Sequence, residues 1–160
     1  MIIYGVNPVK DLFNSDVNKI KKVWIQKKRH QSFYNDLTAA GVEVLDIADL
    51  NYRKVELTGK ETIQGIVASI EEPKVFTLNE LIEVNKDKQD AKIVILDHIE
   101  DPQNFGAIIR NSAAFEVDGI IYPSRGAARL NSTVMKTSAG NWMNVNLKSS
   151  TDLMLFDLSL

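Results

Sequence analysis

Two short apolar runs, Ile93-Val94-Ile95-Leu96 and Gly119-Ile120-Ile121-Tyr122, flank a helix-like stretch from about Phe105 to Phe115. A run that is apolar throughout, rather than alternating, marks a parallel strand buried on both faces. Parallel neighbours need a long crossover, and the intervening helix supplies one. This half of the chain is therefore committed to a β-α-β unit in an open α/β sheet. A second helix is expected over Ser132–Ala139, stopped by Gly140, and then a short strand at Val145-Asn146-Leu147. Ser150 or Thr151 is placed to cap a last helix carrying Leu153, Met154, Leu155, Phe156 and Leu158.

The preceding half alternates strands and helices as well. Ile2-Ile3-Tyr4 is extended, and Gly5 breaks it. Asn7 is a candidate cap with Pro8 at the first helical position, followed by Val9, Leu12 and Phe13 on one face. Strands are expected at Lys22–Gln26, Val42–Leu45 and Gly65–Ile70. Ser32 is a candidate cap for a helix that Gly41 ends, and a short helix is expected over Ile47–Tyr52. Residues 1–71 thus read as a small three-layer α/β domain. Residues 72–91 read as a linker that includes a capping box, Thr77 with Glu80, ahead of Leu78, Leu81 and Ile82. Residues 92–160 read as the second domain.

Composition narrows the function. The chain is 44% apolar, which argues against a disordered chain, and no apolar run approaches membrane-spanning length. There is no cysteine, so disulfides, thiolate zinc sites and cysteine nucleophiles are excluded, and a cytoplasmic setting is expected. Two histidines, His30 and His98, are too few for a histidine metal site, and no metal is expected. The formal charge of −2 conceals a division. Residues 15–30 carry Lys19, Lys21, Lys22, Lys27, Lys28 and Arg29 against Asp16 alone, a local excess of +5. Such a segment suits phosphates, and a solvated surface turn is the plain alternative.

The most informative stretch is Leu96-Asp97-His98-Ile99-Glu100-Asp101-Pro102-Gln103-Asn104-Phe105-Gly106-Ala107-Ile108-Ile109-Arg110. It begins at the carboxyl end of a buried strand, where open α/β sheets place ligands. Asn104 is a candidate helix cap, and Gly106 allows a close approach to the first turn. An arginine in an otherwise apolar helix must be paired or reach solvent. The alternatives are a plain cap and an edge arginine.

At these residues the chain resembles a known family. DPQNFGAIIRNSAAFEVDGIIYP is similar to the first signature of the SpoU (TrmH-type) branch of the SPOUT RNA 2′-O-ribose methyltransferases, through Asn104, Arg110, Ser112-Ala113-Ala114 and Gly119. Ser138-Ala139-Gly140 resembles a later helix end of that family, with Asn141 in place of its usual alanine. Tyr4-Gly5-Val6-Asn7-Pro8-Val9 and Gln64-Gly65-Ile66-Val67-Ala68 resemble the opening and closing of its RNA-binding domain, with Ile63 where a histidine is common. The layout looks closest to the bacterial 23S rRNA guanosine 2′-O-methyltransferases.

The resemblance implies an N-terminal RNA-binding domain and the first part of an α/β-knot domain. It implies methyl transfer from S-adenosylmethionine to a ribose 2′-hydroxyl of ribosomal RNA by a homodimer. Asn104 and Arg110 would be the catalytic pair. Guanidinium stays protonated, so Arg110 would act as a fixed cation rather than a base. Arg125 and Arg129 join Lys21, Lys22, Lys27, Lys28 and Arg29 as candidate RNA contacts. The family's later signatures, which build most of the cofactor pocket and the knot, do not occur here. The expectation is that these 160 residues alone bind S-adenosylmethionine poorly. The alternative function is a non-catalytic RNA- or ribosome-binding module.

Overall fold

The computed structural model describes residues 1–55, 57 and 62–151, and the chain divides into two compact units, Met1–Glu72 and Pro73–Leu160.

The first unit holds β1 (Ile2–Tyr4), α1 (Val6–Asp16), β2 (Ile20–Ile25), α2 (Gln31–Ala39), β3 (Glu43–Asp46) and β4 (Ile66–Ile70). The sheet order is β1-β4-β2-β3, with β2 and β3 parallel and β4 antiparallel to both of its neighbours. Alternation along the strands sets two apolar faces. Ile3, Ala68 and Val23 lie in one cross-strand row and are fully buried with Ile25, Ile66 and Ile70. The helices contribute Val9, Leu12, Phe33 and Leu37 to the core. Phe13 meets Phe33 edge-on at 5.3 Å. A separate cluster gathers Tyr4 and Val67 with Leu50, Val55 and Leu57, and Trp24, Ile47 and Ile63 pack against it. Helices, sheet and the excursion after β3 are the three layers.

Two caps differ from expectation. α1 begins at Val6, with Gly5 at φ 97° as its N-cap, so Asn7 lies within the first turn. The Val6 amide donates instead to Gln64 Oε1 at 2.9 Å, a partner 58 positions away. α2 begins at Gln31 with His30 before it, so Ser32 lies inside the helix. The short helix expected over Ile47–Tyr52 is a single 3-10 turn, Ile47–Asp49.

The second unit holds α3 (Leu78–Asn85), β5 (Ile93–Ile95), α4 (Pro102–Ala114), β6 (Gly119–Pro123), α5 (Ser132–Thr137) and β7 (Asn146–Ser150). Its sheet is parallel, in the order β5-β6-β7. Residues 72–91 are not a free linker. Val75 bridges to Leu147, and the Phe76 amide donates to the Leu147 carbonyl at 2.8 Å. The Thr77–Glu80 capping box forms and starts α3. Leu81 of α3 packs over Gly119, where an added Cβ would sit 2.8 Å from Leu81 Cδ1. The stretch therefore completes this unit's own packing.

β5 departs from expectation too. Ile93 and Ile95 remain 39% and 41% exposed, because β5 is the edge of the sheet and that face is only partly covered. β6, between two strands, is buried along its whole length. β7 runs on through Ser150, beyond the short strand expected at Val145-Asn146-Leu147. The helix expected over 151–158 lies outside the described residues beyond Thr151.

Candidate functional site

The loops at the carboxyl ends of β5 and β6 are tied together. The Leu96 amide donates to the Ile121 carbonyl, and Ala128 to Ile99, at 2.8 and 2.7 Å. The Ser124 amide donates to the Ser150 carbonyl at 2.7 Å. His98 is held at φ 50°, unusual for a residue with a Cβ, and its Nδ1 pairs with Asp97 Oδ1. Its ring lies 3.6 Å from the place a Gly126 side chain would occupy. The exposed Arg125 and Arg129 are thus presented on a loop anchored to the segment after β5. Beneath them, Tyr122 packs 5.0 Å from Phe105, and burial pushes its phenol pKa up against a hydrogen bond with Ser149. Ser124 Oγ is buried there with no hydrogen-bond partner among the described residues.

The helix that follows starts three residues earlier than expected. Asp101 is its N-cap, accepting from the Gln103 amide at 2.8 Å, and Pro102 takes the first helical position. Proline there needs no amide hydrogen, so the pair sets the start. Asn104 is therefore not the cap. It stands exposed in the first turn, free for another role. Gly106 faces α5. An added Cβ would lie 2.6 Å from Thr137 Cβ and 2.8 Å from the Val134 carbonyl oxygen. Arg110 reaches solvent and has no ion pair among the described residues. Asn104 and Arg110 share the exposed side of α4, about 120° apart and about 9 Å along the axis. The structure does not bring them into contact.

The basic segment of the first unit also divides. Lys22 is paired with Glu43 at 3.0 Å and lies beside Trp24, so its charge is committed. Lys21 is exposed at the opening end of β2. Lys27, Lys28 and Arg29 follow the other end, in the turn before α2. Lys27 lies over the Tyr34 ring at 4.2 Å, while Lys28 and Arg29 have no partner among the described residues. Beside this turn, Gln64 and Gly65 both have positive φ, 56° and 77°. His30 Nε2 is 2.8 Å from the Gln64 carbonyl oxygen, and the Gln26 amide donates to Gly65. Sequence reading missed this junction. Its only local signal was the Gln-Gly pair at 64–65.

No group of three or more histidines and carboxylates suited to a metal is present among the described residues. No helix among them is long and apolar enough to cross a membrane.

The chain thus joins a mixed-sheet unit with an exposed basic turn to a parallel β-α-β unit with polar loops at its carboxyl end. Two family models match in tandem: RNA 2′-O ribose methyltransferase substrate binding over residues 2–76, and the SpoU rRNA Methylase family over residues 91–156. Together they account for most of the chain, which belongs to the SpoU family. Among its relatives, 23S rRNA (guanosine-2′-O-)-methyltransferase RlmB of Yersinia pestis is 32% identical over 156 residues, covering 95% of this chain and 63% of that protein. RlmB of Pseudomonas aeruginosa is 29% identical, with 94% and 62% covered. The chain therefore spans somewhat under two thirds of these relatives. The SpoU methyltransferase AviRb of Streptomyces viridochromogenes, crystallised with AdoMet, shares the fold at a TM-score of 0.71 and 18% identity, covering 95% of this chain and 56% of that one.

Proposed function

We propose that the protein acts as an S-adenosylmethionine-dependent RNA 2′-O-ribose methyltransferase on ribosomal RNA, within the cytoplasm. The observation that carries this reading is the tandem match of a substrate-binding and a methylase model on one chain. In it, residues 1–71 recognise RNA and residues from 92 onward carry the chemistry. S-adenosylmethionine, when bound, supplies the methyl group. Arg110, permanently charged and unpaired, holds a phosphate of the bound RNA and favours negative charge developing at the 2′-oxygen. Asn104 orients the ribose from the first turn of α4. Arg125 and Arg129 add backbone contacts from their anchored loop. Arg110→Ala should abolish methylation of ribosomal RNA while RNA affinity falls only modestly, by the loss of one phosphate contact. Full activity in that variant would refute the role.

The described residues do not by themselves fit the cofactor. At the strand ends they offer one buried, unpartnered polar atom, Ser124 Oγ. That observation favours a second reading, an RNA- or ribosome-binding module without catalysis. RNA binding without any methyl transfer by the native product would decide for it. The partly open β5 face, Ile93 and Ile95, with Phe115 at 75% exposure, supports a homodimer through the second unit. Sedimentation equilibrium showing only monomer at high concentration would remove that part.

A further inference from the structure

Resting on the proposed RNA-binding role of Met1–Glu72, we infer that this unit reads single-stranded RNA at the end where β1 and β2 finish, through Gln26, Gln64 and Asn7. Lys28 and Arg29 neutralise the phosphates alongside. The charge argument comes first. Of the basic side chains on β2 and the turn after it, Lys22 is spent on Glu43 and Lys27 lies on Tyr34, whereas Lys28 and Arg29 are exposed and unpaired among the described residues.

Hydrogen-bonding capacity then identifies the polyanion. Gln64 Oε1 is used on the Val6 amide, which leaves its –NH2 an uncommitted donor at the surface. His30 Nε2 lies 2.8 Å from the Gln64 carbonyl oxygen and donates to it, fixing the imidazole beside the amide. Gln26 and Asn7 are exposed, and their side chains make no hydrogen bond among the described residues. Gly65 makes room for Gln26: an added Cβ would lie 2.9 Å from Gln26 Oε1. Phosphate oxygens only accept hydrogen bonds. The amides of Gln26 and Asn7 each present an acceptor oxygen beside their N–H donors; a bare polyanion can use only the donors, whereas base edges and the 2′-hydroxyl can use both. In an A-form duplex the major-groove edges lie in a deep, narrow groove and the Watson–Crick edges are already paired, so base reading by short amide side chains points to an unpaired strand.

The test is fluorescence polarisation of the full chain with a short labelled RNA, single-stranded or annealed, at several salt concentrations. Heparin serves as a base-free polyanion. The double variant Lys28→Ala/Arg29→Ala should weaken single-strand binding at least about tenfold and reduce the salt slope by about 1.4, from ~0.7 per lost phosphate contact. Gln26→Ala, at an exposed unpartnered side chain, should weaken single-strand binding about fivefold with an unchanged salt slope and unchanged heparin affinity. Unchanged affinity in Gln26→Ala, or duplex bound as tightly as single strand, overturns base reading and leaves RNA binding intact. An undiminished double variant places the surface elsewhere and overturns the inference. Failure of the wild-type chain to bind RNA at low salt defeats the underlying functional reading itself.

Discussion

Replacing Gly106 by alanine separates a packing role from a substrate-approach role at the centre of the family signature. An alanine Cβ would lie 2.6 Å from Thr137 Cβ, 2.8 Å from the Val134 oxygen and 3.0 Å from the Ser138 nitrogen. Carbon atoms in contact prefer about 3.5–4.0 Å. The nearest contact is therefore short by about 1 Å, and two of the three atoms are α5 backbone, which no rotamer change can move. Overpacking of this kind costs about 1–3 kcal/mol. Alanine's helix preference over glycine returns about 1 kcal/mol. The expected net change is a loss of up to about 2 kcal/mol. Urea unfolding in a Trp24→Phe background makes Trp142, buried beside α5 in this same unit, the only tryptophan reporter. Ala114→Gly, exposed at the end of the same helix, serves as the comparison and should lose up to about 1 kcal/mol from propensity alone. If Gly106→Ala is as stable as the parent or more so, the α4–α5 contact is not what requires glycine there. Gly106 would then return to being a candidate for substrate approach.

Three further outcomes are expected. Gly65→Ala should destabilise the first unit by at least about 1 kcal/mol, since φ is 77° and the new Cβ meets Gln26; faster hydrogen exchange at the Gln26 amide is the readout. Asp118→Ala should cost about 2 kcal/mol in thermal unfolding, because Asp118 accepts from the Lys92 amide at 2.8 Å and pairs with Lys88 while its side chain is only 12% exposed. Acid should destabilise the second unit. The Lys88 hydrogen bond, and then the Lys92 amide, hold the Asp118 pKa below 3.8, and the Thr77 backbone and Lys74 lower Glu80 from 4.5 to about 2. Both folded pKa values are depressed, so the stabilisation is complete above the unfolded values and is lost as pH falls through the folded ones. Stability should be level above about pH 5 and decline below it, with a shallower decline in Glu80→Gln/Asp118→Asn. An unchanged slope in that variant would remove both groups from the account.

What could be read from the chain was local. The Thr77–Glu80 capping box and the β-α-β order each depend on residues close in the chain, so their signals survive without tertiary context, whereas α5 ends at Thr137, with Ala139 at φ 50°, before the expected stop at Gly140. The start of α4 was local as well, but Asp101-Pro102 outcompeted Asn104, because proline at the first helical position costs no hydrogen bond. Of the candidate site, sequence placed Asn104 and Arg110 on one helix. It did not separate Lys21 and Lys22 from Lys27–Arg29, since the length of a strand lies between groups that look adjacent in the chain.

The rest was decided by contacts between distant segments. A glutamine 58 positions away caps α1, and no periodicity near Val6 announces it. Gly106 and Gly119 owe their identity to α5 and α3, whose approach depends on how the elements stack. The apolar run Ile93-Val94-Ile95 determined that a strand forms there, but its burial depended on position in the sheet order. At an edge with a partly covered face, the same three side chains that pattern a buried strand stay partly in solvent. Hydrophobicity along the chain determines that a residue can be buried; only the neighbours supplied by the tertiary fold determine whether it is.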